Sequence, residues 1–365
     1  MRKSLRLAFI LVIFSSHALA AKGKKAEPKE PVTTMDQGED PTAKEQSEKK
    51  APKVEPPTEE EIAAAQAKAD AAEAKKRRQQ RAKFGLFADV LVGFGAAPWP
   101  GTGADKTTGK TTSGTFMVGG YYDVSPDFSL GVRMPWTIGS QRQPDGSNVT
   151  VNALGTLELM GEYRVALSPF TLLPISFGLG APTAQGGYDY LDKSGWQKTQ
   201  LNAMADAASG YRDGELFGPH RLPVVVGVGI DYQRKALSLR AATKVVLGVK
   251  VGGELAHIPD SDSTYELKTM ALRSVTSGGV SYDFLEKPKL YGALDAWFAY
   301  NAINALEFTS KMGATPPTRA QFVFEPRIGA RFGKASPSVG YIFPIGGRLA
   351  DAGTSGLELR CDFAF

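Results

Sequence analysis

The chain has 365 residues and a formal net charge of +5, with 42% hydrophobic and 22% charged residues. A single cysteine, Cys361, excludes an intrachain disulfide. The positive balance sits partly in one helix-like segment and does not read as a nucleic-acid surface, so no nucleic-acid partner is expected.

The first residues, Met1-Arg2-Lys3-Ser4-Leu5-Arg6, are basic, Leu7 to Phe14 is a short apolar run, and Ala18-Leu19-Ala20 is a small-residue cleavage site. This pattern predicts a signal peptide over 1–20. Residues 21–57 are rich in Lys, Glu, Pro, Thr and Gln and poor in large apolar residues. They cannot bury enough surface to offset their ordering entropy, which predicts a disordered linker. Residues 58–82 read as a charged, Ala-rich helix. Thr58 can cap it with Glu61 three residues on, and Lys75, Lys76, Arg77, Arg78 and Arg81 suit its C-terminal end. Its apolar residues are nearly all Ala, so it is either a solvated helix or an arm that binds peptidoglycan or another periplasmic partner.

From Phe84 onward the chain alternates strands and turns. The expected strands are 84–94, 114–124, 127–137, 151–165, 169–180, 221–234, 237–251, 266–284, 289–301, 320–332, 337–344 and 356–365. Their lengths suit tilted membrane strands, about twelve of them. Short turns at Ser125-Pro126-Asp127, Leu167-Ser168-Pro169, Arg234-Lys235-Ala236, Glu286-Lys287-Pro288 and Gly333-Lys334-Ala335-Ser336 alternate with long loops. The loops are 95–113, 138–150, 181–220, 252–265, 302–319 and 345–355. An even strand count returns both ends of the barrel to the side of the short turns.

Charges collect on one face of each strand. In 151–165, Leu157, Leu159, Tyr163 and Val165 oppose Glu158, Glu162 and Arg164. In 320–332, Phe322, Phe324, Ile328 and Phe332 oppose Glu325, Arg327 and Arg331. Tyr122, Tyr163, Tyr232, Tyr282 and Phe284 lie near short turns, and Phe94, Phe116 and Trp136 near long loops, as two aromatic girdles would. In the last strand, Leu357, Leu359, Cys361, Phe363 and Phe365 share one face, and Glu358, Arg360, Asp362 and Ala364 the other. Cys361 therefore reads as a small lipid-facing residue.

This terminal strand, ending at Phe363 and Phe365, resembles that of bacterial outer-membrane β-barrels. The resemblance covers 83–365 and implies an all-β fold: a transmembrane, antiparallel, up-and-down barrel in the outer membrane of a Gram-negative bacterium. It also implies an assembly signal at Phe363 and Phe365 read by the barrel-assembly machinery, with outer-membrane lipid around the wall and the N-terminal arm in the periplasm. Two functions stay open. One is a porin-like barrel passing small polar solutes passively. The other is a structural or interaction barrel of an envelope-spanning complex, of export or gliding-motility type, docking periplasmic partners through 21–82.

The face turned from lipid carries the residues on which function depends. Its acids are Asp89, Glu158, Glu162, Asp231, Asp295, Glu325, Glu358 and Asp362. Its bases are Arg133, Arg164, Arg240, Lys244, Lys250, Arg273, Arg327, Arg331 and Arg360. A dedicated anion or cation pore would show an excess of one sign. Interleaved signs fit either a narrow water-filled passage or a salt-bridged, largely closed interior. Loop 181–220 contains a helix-like piece, Gln197 to Ser209, with Leu201, Met204, Ala205 and Ala208 on one face. Folded inward it constricts the lumen; folded outward it caps the barrel.

Enzymatic signals are weak, and the chain reads as neither an enzyme nor a cofactor binder. His220 has no Ser beside it, and His257 has Ser261 only in a loop. Gly103 to Thr111 imitates a phosphate loop with one residue too many, and it feeds a strand. Glu254, His257, Asp260, Asp262 and Glu266 make one loop acidic, which reads as a solvated loop before a cation site.

Overall fold

From Phe84 onward the alternating segments pair edge to edge until the sheet closes on itself. The computed structural model describes residues 58–79, 83–95, 111–142, 147–187, 192–252, 256–257, 264–285, 289–308 and 320–365. The expected signal peptide and linker, and most of loops 95–113 and 302–319, lie outside the described residues.

The first element is helix α1 (Glu59–Gln79). Its start is a reciprocal capping box: the Thr58 amide donates to Glu61 Oε2 (2.9 Å), and the Glu61 amide to Thr58 Oγ1 (3.3 Å). Ile62 is exposed, so the helix shows no core face there.

The strands follow as β1 (Phe84–Gly95), β2 (Thr111–Ser125), β3 (Phe128–Arg142), β4 (Asn148–Leu154), β5 (Leu157–Ala166) and β6 (Thr171–Ala181). Next come helix α2 (Lys193–Ala208), a short 3₁₀ turn at Gly214–Leu216, β7 (Arg221–Arg234) and β8 (Leu237–Lys250). The remainder is β9 (Ala256–His257), β10 (Thr264–Leu267), β11 (Met270–Asp283), β12 (Lys289–Ile303), β13 (Leu306–Phe308), β14 (Ala320–Arg331), β15 (Ala335–Ile345), helix α3 (Gly347–Asp351) and β16 (Ser355–Ala364). β9, β10 and β13 form a small separate sheet.

The main sheet is antiparallel throughout, and β1 closes it against β16 from Gly85–Ala364 to Phe94–Ser355. β4 and β5 are two parts of one wall strand, interrupted at Gly155-Thr156, so the barrel has twelve wall strands. At about 3.3 Å per residue and a tilt near 45°, strands of this length cross a bilayer. Several run further toward the long loops than the sequence indicates. β2 starts at Thr111 instead of 114, and β3 reaches Arg142 instead of 137. The polar Thr and Ser residues there hide the strand from a hydrophobicity pattern while still pairing in register.

Polarity is inverted relative to a soluble fold. Val118, Leu159, Val226 and Ile328 are more than half exposed on the outside, while Glu158, Glu325 and Glu358 are buried within. Only a surrounding of lipid makes such an exterior favourable. Phe116 and Trp136 pack ring to ring (5.8 Å) near the long loops, and Tyr122, Tyr163, Tyr282 and Phe284 are exposed near the short turns. These are the two aromatic belts. Phe365 packs against Phe84 (6.1 Å), joining the last strand to the first.

Candidate functional site: a plugged, charged lumen

Segment 181–220 folds inward. Helix α2 runs from Lys193 instead of Gln197 because Asp192 caps it, accepting from the Gly195 amide (3.1 Å). Its apolar face packs on the inner wall at the long-loop end. Leu201, Met204, Ala205 and Ala208 are fully or almost fully buried. Leu201 meets Val151 and Ala153, and Ala208 meets Leu91. The wall admits the helix because it lacks side chains where they touch. A Cβ on Gly93 would lie 2.5 Å from Ala208 Cβ, and one on Gly356 would lie 2.5 Å from Ala208 O.

After α2 the chain reverses through two left-handed residues, Gly210 (φ 63°) and Tyr211 (φ 62°). The second is uncommon for a side chain as large as Tyr. The reversal is fastened by Trp297 Nε1, which donates to Gly210 O (2.9 Å). It delivers Arg212, Asp213 and Glu215 to the middle of the lumen.

Three ionic clasps join this segment to the wall. Arg273 grips Asp206 with both terminal nitrogens (2.9 and 3.0 Å) and lies over the Tyr211 ring. Arg212 reaches Glu325 (3.1 Å) and Glu358 (3.2 Å) across its Nη1 and lies over the Trp297 ring. Arg133 divides its fork: Nε donates to Glu158 (2.6 Å), Nη1 to Asp213 (3.1 Å) and Nη2 to Glu215 (2.8 Å). Lys244 adds a second cation on Glu215. Wall bases thus meet plug acids, and wall acids meet the plug's arginine.

The local field follows. Burial alone would push the Asp213 carboxyl up, but Arg212, Arg133 and Lys244 around it hold it well below the usual carboxylate range. Asp206 goes the other way: burial pushes it up, and Arg273 offsets this only in part.

Below the clasps lies a cavity of about 750 Å³ that runs toward the short turns. Arg133, Lys244 and Asp213 stand at its upper end, and Gln233 and Ser238 near the β7–β8 turn. Its charged lining is largely paired. Arg240 faces Asp295 at 3.7 Å and stands opposite Asp231 in the β7–β8 register. Arg327 donates to Glu358 (3.0 Å), and Arg360 pairs with Asp362 (2.8 Å). From beyond the cavity lining, Arg164 holds Glu162 (2.6 Å) and Ser129 (2.8 Å), and Arg331 holds Asp283 (2.6 Å).

Of the charged wall residues expected to line the lumen, Arg133, Glu162, Asp231, Arg240, Lys244, Asp295, Glu325, Arg327 and Arg360 border this cavity. Their partners in the plug, Asp206, Arg212, Asp213 and Glu215, were not singled out from sequence. The signal was the run Arg212-Asp213-Gly214-Glu215 directly after an apolar helix face, charge too dense for a passive loop. Among the described residues no group of His, Cys, Asp and Glu could hold a metal ion. His220 is turned to Gly186 O (3.1 Å). The phosphate-loop imitation and most of the acidic loop lie outside the described residues.

No protein-family model and no curated protein matches the chain. Among solved structures, an outer-membrane channel from Pseudomonas putida F1 is 13% identical, with a TM-score of 0.48, covering 77% of this chain and 95% of that one. The transport unit of the autotransporter AIDA-I from Escherichia coli is 10% identical, with a TM-score of 0.44, covering 82% of this chain and 98% of that one. The porin NanC is 8% identical, with a TM-score of 0.41, covering 76% and 98%. With its closed wall, apolar exterior and charged interior, the chain is a closed, antiparallel β-barrel of twelve strands.

Proposed function

We propose that the protein is an outer-membrane channel of a Gram-negative bacterium, passing small polar solutes through a mixed-charge lumen that segment 181–220 constricts. The observation that carries this reading is the charged cavity of about 750 Å³, which reaches from the short turns to the ionic clasps. An interior meant only to be filled would be packed by side chains to its end. In this reading the short turns and the N-terminal arm face the periplasm. Liposome swelling tests it. Vesicles carrying the mature protein should admit small polar solutes faster than protein-free vesicles and exclude larger ones. Equal rates from a folded barrel would refute it.

The second reading is an interaction barrel that docks periplasmic partners or peptidoglycan through 21–82. It is favoured by the three clasps, which tie the inserted segment to the wall across the lumen, and by the exposed helix α1, whose start is capped without a core to pack on. Removing 22–82 separates the two: a channel keeps its permeability, whereas a scaffold loses its partners.

A further inference from the structure

We propose that Arg133 and Lys244 form a binding site for a small multivalent anion, a solute bearing two or more carboxylates or a phosphate, which the plug's own Asp213 and Glu215 occupy in this structure. The inference rests on the channel reading for its biological meaning, since it supplies the solute class, but the site itself stands on geometry.

First, the cations belong to the rigid wall, on β3 and β8, and the acids belong to the inserted segment. Glu158 takes only the Nε edge of Arg133 (2.6 Å), which leaves the two terminal nitrogens pointing at carboxylates from the plug (3.1 and 2.8 Å). A planar fork with two donors that the wall does not take is the arrangement that recognises carboxylate or phosphate oxygens in pairs. Lys244 converges on the same two acids from the other side.

Second, the site is reachable. Arg133, Lys244 and Asp213 all line the cavity that runs to the short turns. Third, the plug's fit is incomplete. Glu215 Oε1 takes both cations, while its Oε2 is buried with no hydrogen-bond partner among the described residues. The plug carboxylate thus keeps one buried acceptor without a donor, so exchanging it for a free solute gives up an imperfect partner.

The plug acids then act as an intramolecular competitor. A tethered competitor lowers apparent affinity by the fraction of time the site is vacant, and removing its charge should restore the intrinsic value. No covalent step is involved. The anion exchanges with two carboxylates, and the plug moves aside or lets its Asp213–Glu215 turn swing clear.

The test is calorimetric titration of citrate, and separately of inorganic phosphate, into the detergent-solubilised mature chain. Glucose serves as the uncharged control. Asp213→Asn with Glu215→Gln should bind citrate about tenfold tighter or more than the wild type. Lys244→Ala should bind it correspondingly more weakly, and glucose should give no heat in any of them. Folding of each variant is checked by heat-modifiable gel mobility. Should the double variant fail to fold, Glu215→Gln alone carries the same expectation in smaller measure. Unchanged citrate affinity in the acid-removed variant, or undiminished binding by Lys244→Ala, would overturn the site. Because binding is read without conductance, a barrel that binds citrate but passes nothing refutes the channel and keeps the site. A conducting barrel that ignores citrate does the reverse.

Discussion

Arg212, carried by the inserted segment, lies 3.2 Å from Glu358, carried by the last strand of the wall. The two are 146 positions apart in sequence, and Glu358 is buried beyond reach of solvent. Burying a charge is tolerable only when a partner sits within hydrogen-bond distance. The barrel wall and the plug therefore complete each other: Glu358 keeps Arg327 on the wall and gains Arg212 from the plug.

Removing Arg212 exposes that dependence. Arg212→Ala leaves Glu325 and Glu358 with Arg327 as their remaining neighbouring cation. Breaking a buried pair from one side costs on the order of 3–5 kcal/mol. The denaturant midpoint of the refolded barrel should fall accordingly, and Arg212→Lys should recover part of the loss. A midpoint equal to that of the wild type would mean that the clasp carries no weight.

Crowding the wall should expel the helix without touching a charge. Gly93→Val places a side chain where Ala208 and Ser113 already stand, 2.5 and 2.6 Å from a Cβ. Overpacking of this kind costs about 1–3 kcal/mol. The expected outcome is protease cleavage within 193–216 while the barrel stays folded. Gly333→Val, at a position with open space but a positive φ of 58°, should strain only its own turn and leave the plug protected.

Acid should not release the plug through its own Asp213 and Asp206. Asp213 is lowered, so its contribution to docking is complete above the ordinary carboxylate value near 3.9 and is lost only as pH falls through its own lower value. Asp206 is raised, so its contribution is largest at low pH and declines as pH rises through its raised value. Between pH 7 and about pH 5 the first term is constant and the second can only favour docking. Protease protection of 193–216 should hold or increase over that range, and its loss would contradict the assignment.

The lipid face makes its own prediction. Leu159 is 60% exposed on the outer wall, while its neighbour Glu158 is buried inside. Leu159→Arg puts a charge into hydrocarbon at a cost of about 2–4 kcal/mol near the midplane. Folding yield into lipid vesicles should drop. Ser176→Arg, one strand away on the inner face, should be milder because it meets the cavity.

The strands and their facing were legible because alternation is local: Glu158 and Leu159 declare opposite sides by adjacency alone. The charged wall residues followed from the same rule. The direction in which segment 181–220 folds was not legible. An apolar helix face such as Leu201-Met204-Ala205-Ala208 states that it will be buried, but not against what. The complementary surface, Gly93, Gly356, Val151 and Ala153, is assembled from strands distant in sequence. The ionic partners were hidden for the same reason, since Arg133 and Glu215 lie 82 positions apart and meet only after the chain between them has closed into a wall. The strand ends beyond 114 and 137 were missed because Thr and Ser carry pairing there without hydrophobicity.

In the proposed channel, the inserted segment sets the permeability of the barrel. The most direct measurement is single-channel conductance of the mature chain beside a variant in which 193–216 is replaced by a short Gly-Ser linker. Both should be shown to be folded by heat-modifiable mobility. The complete chain should give small or rare steps, and the variant large, steady, ohmic ones. Equal conductance from the two, or silence from the unplugged barrel, would contradict that role.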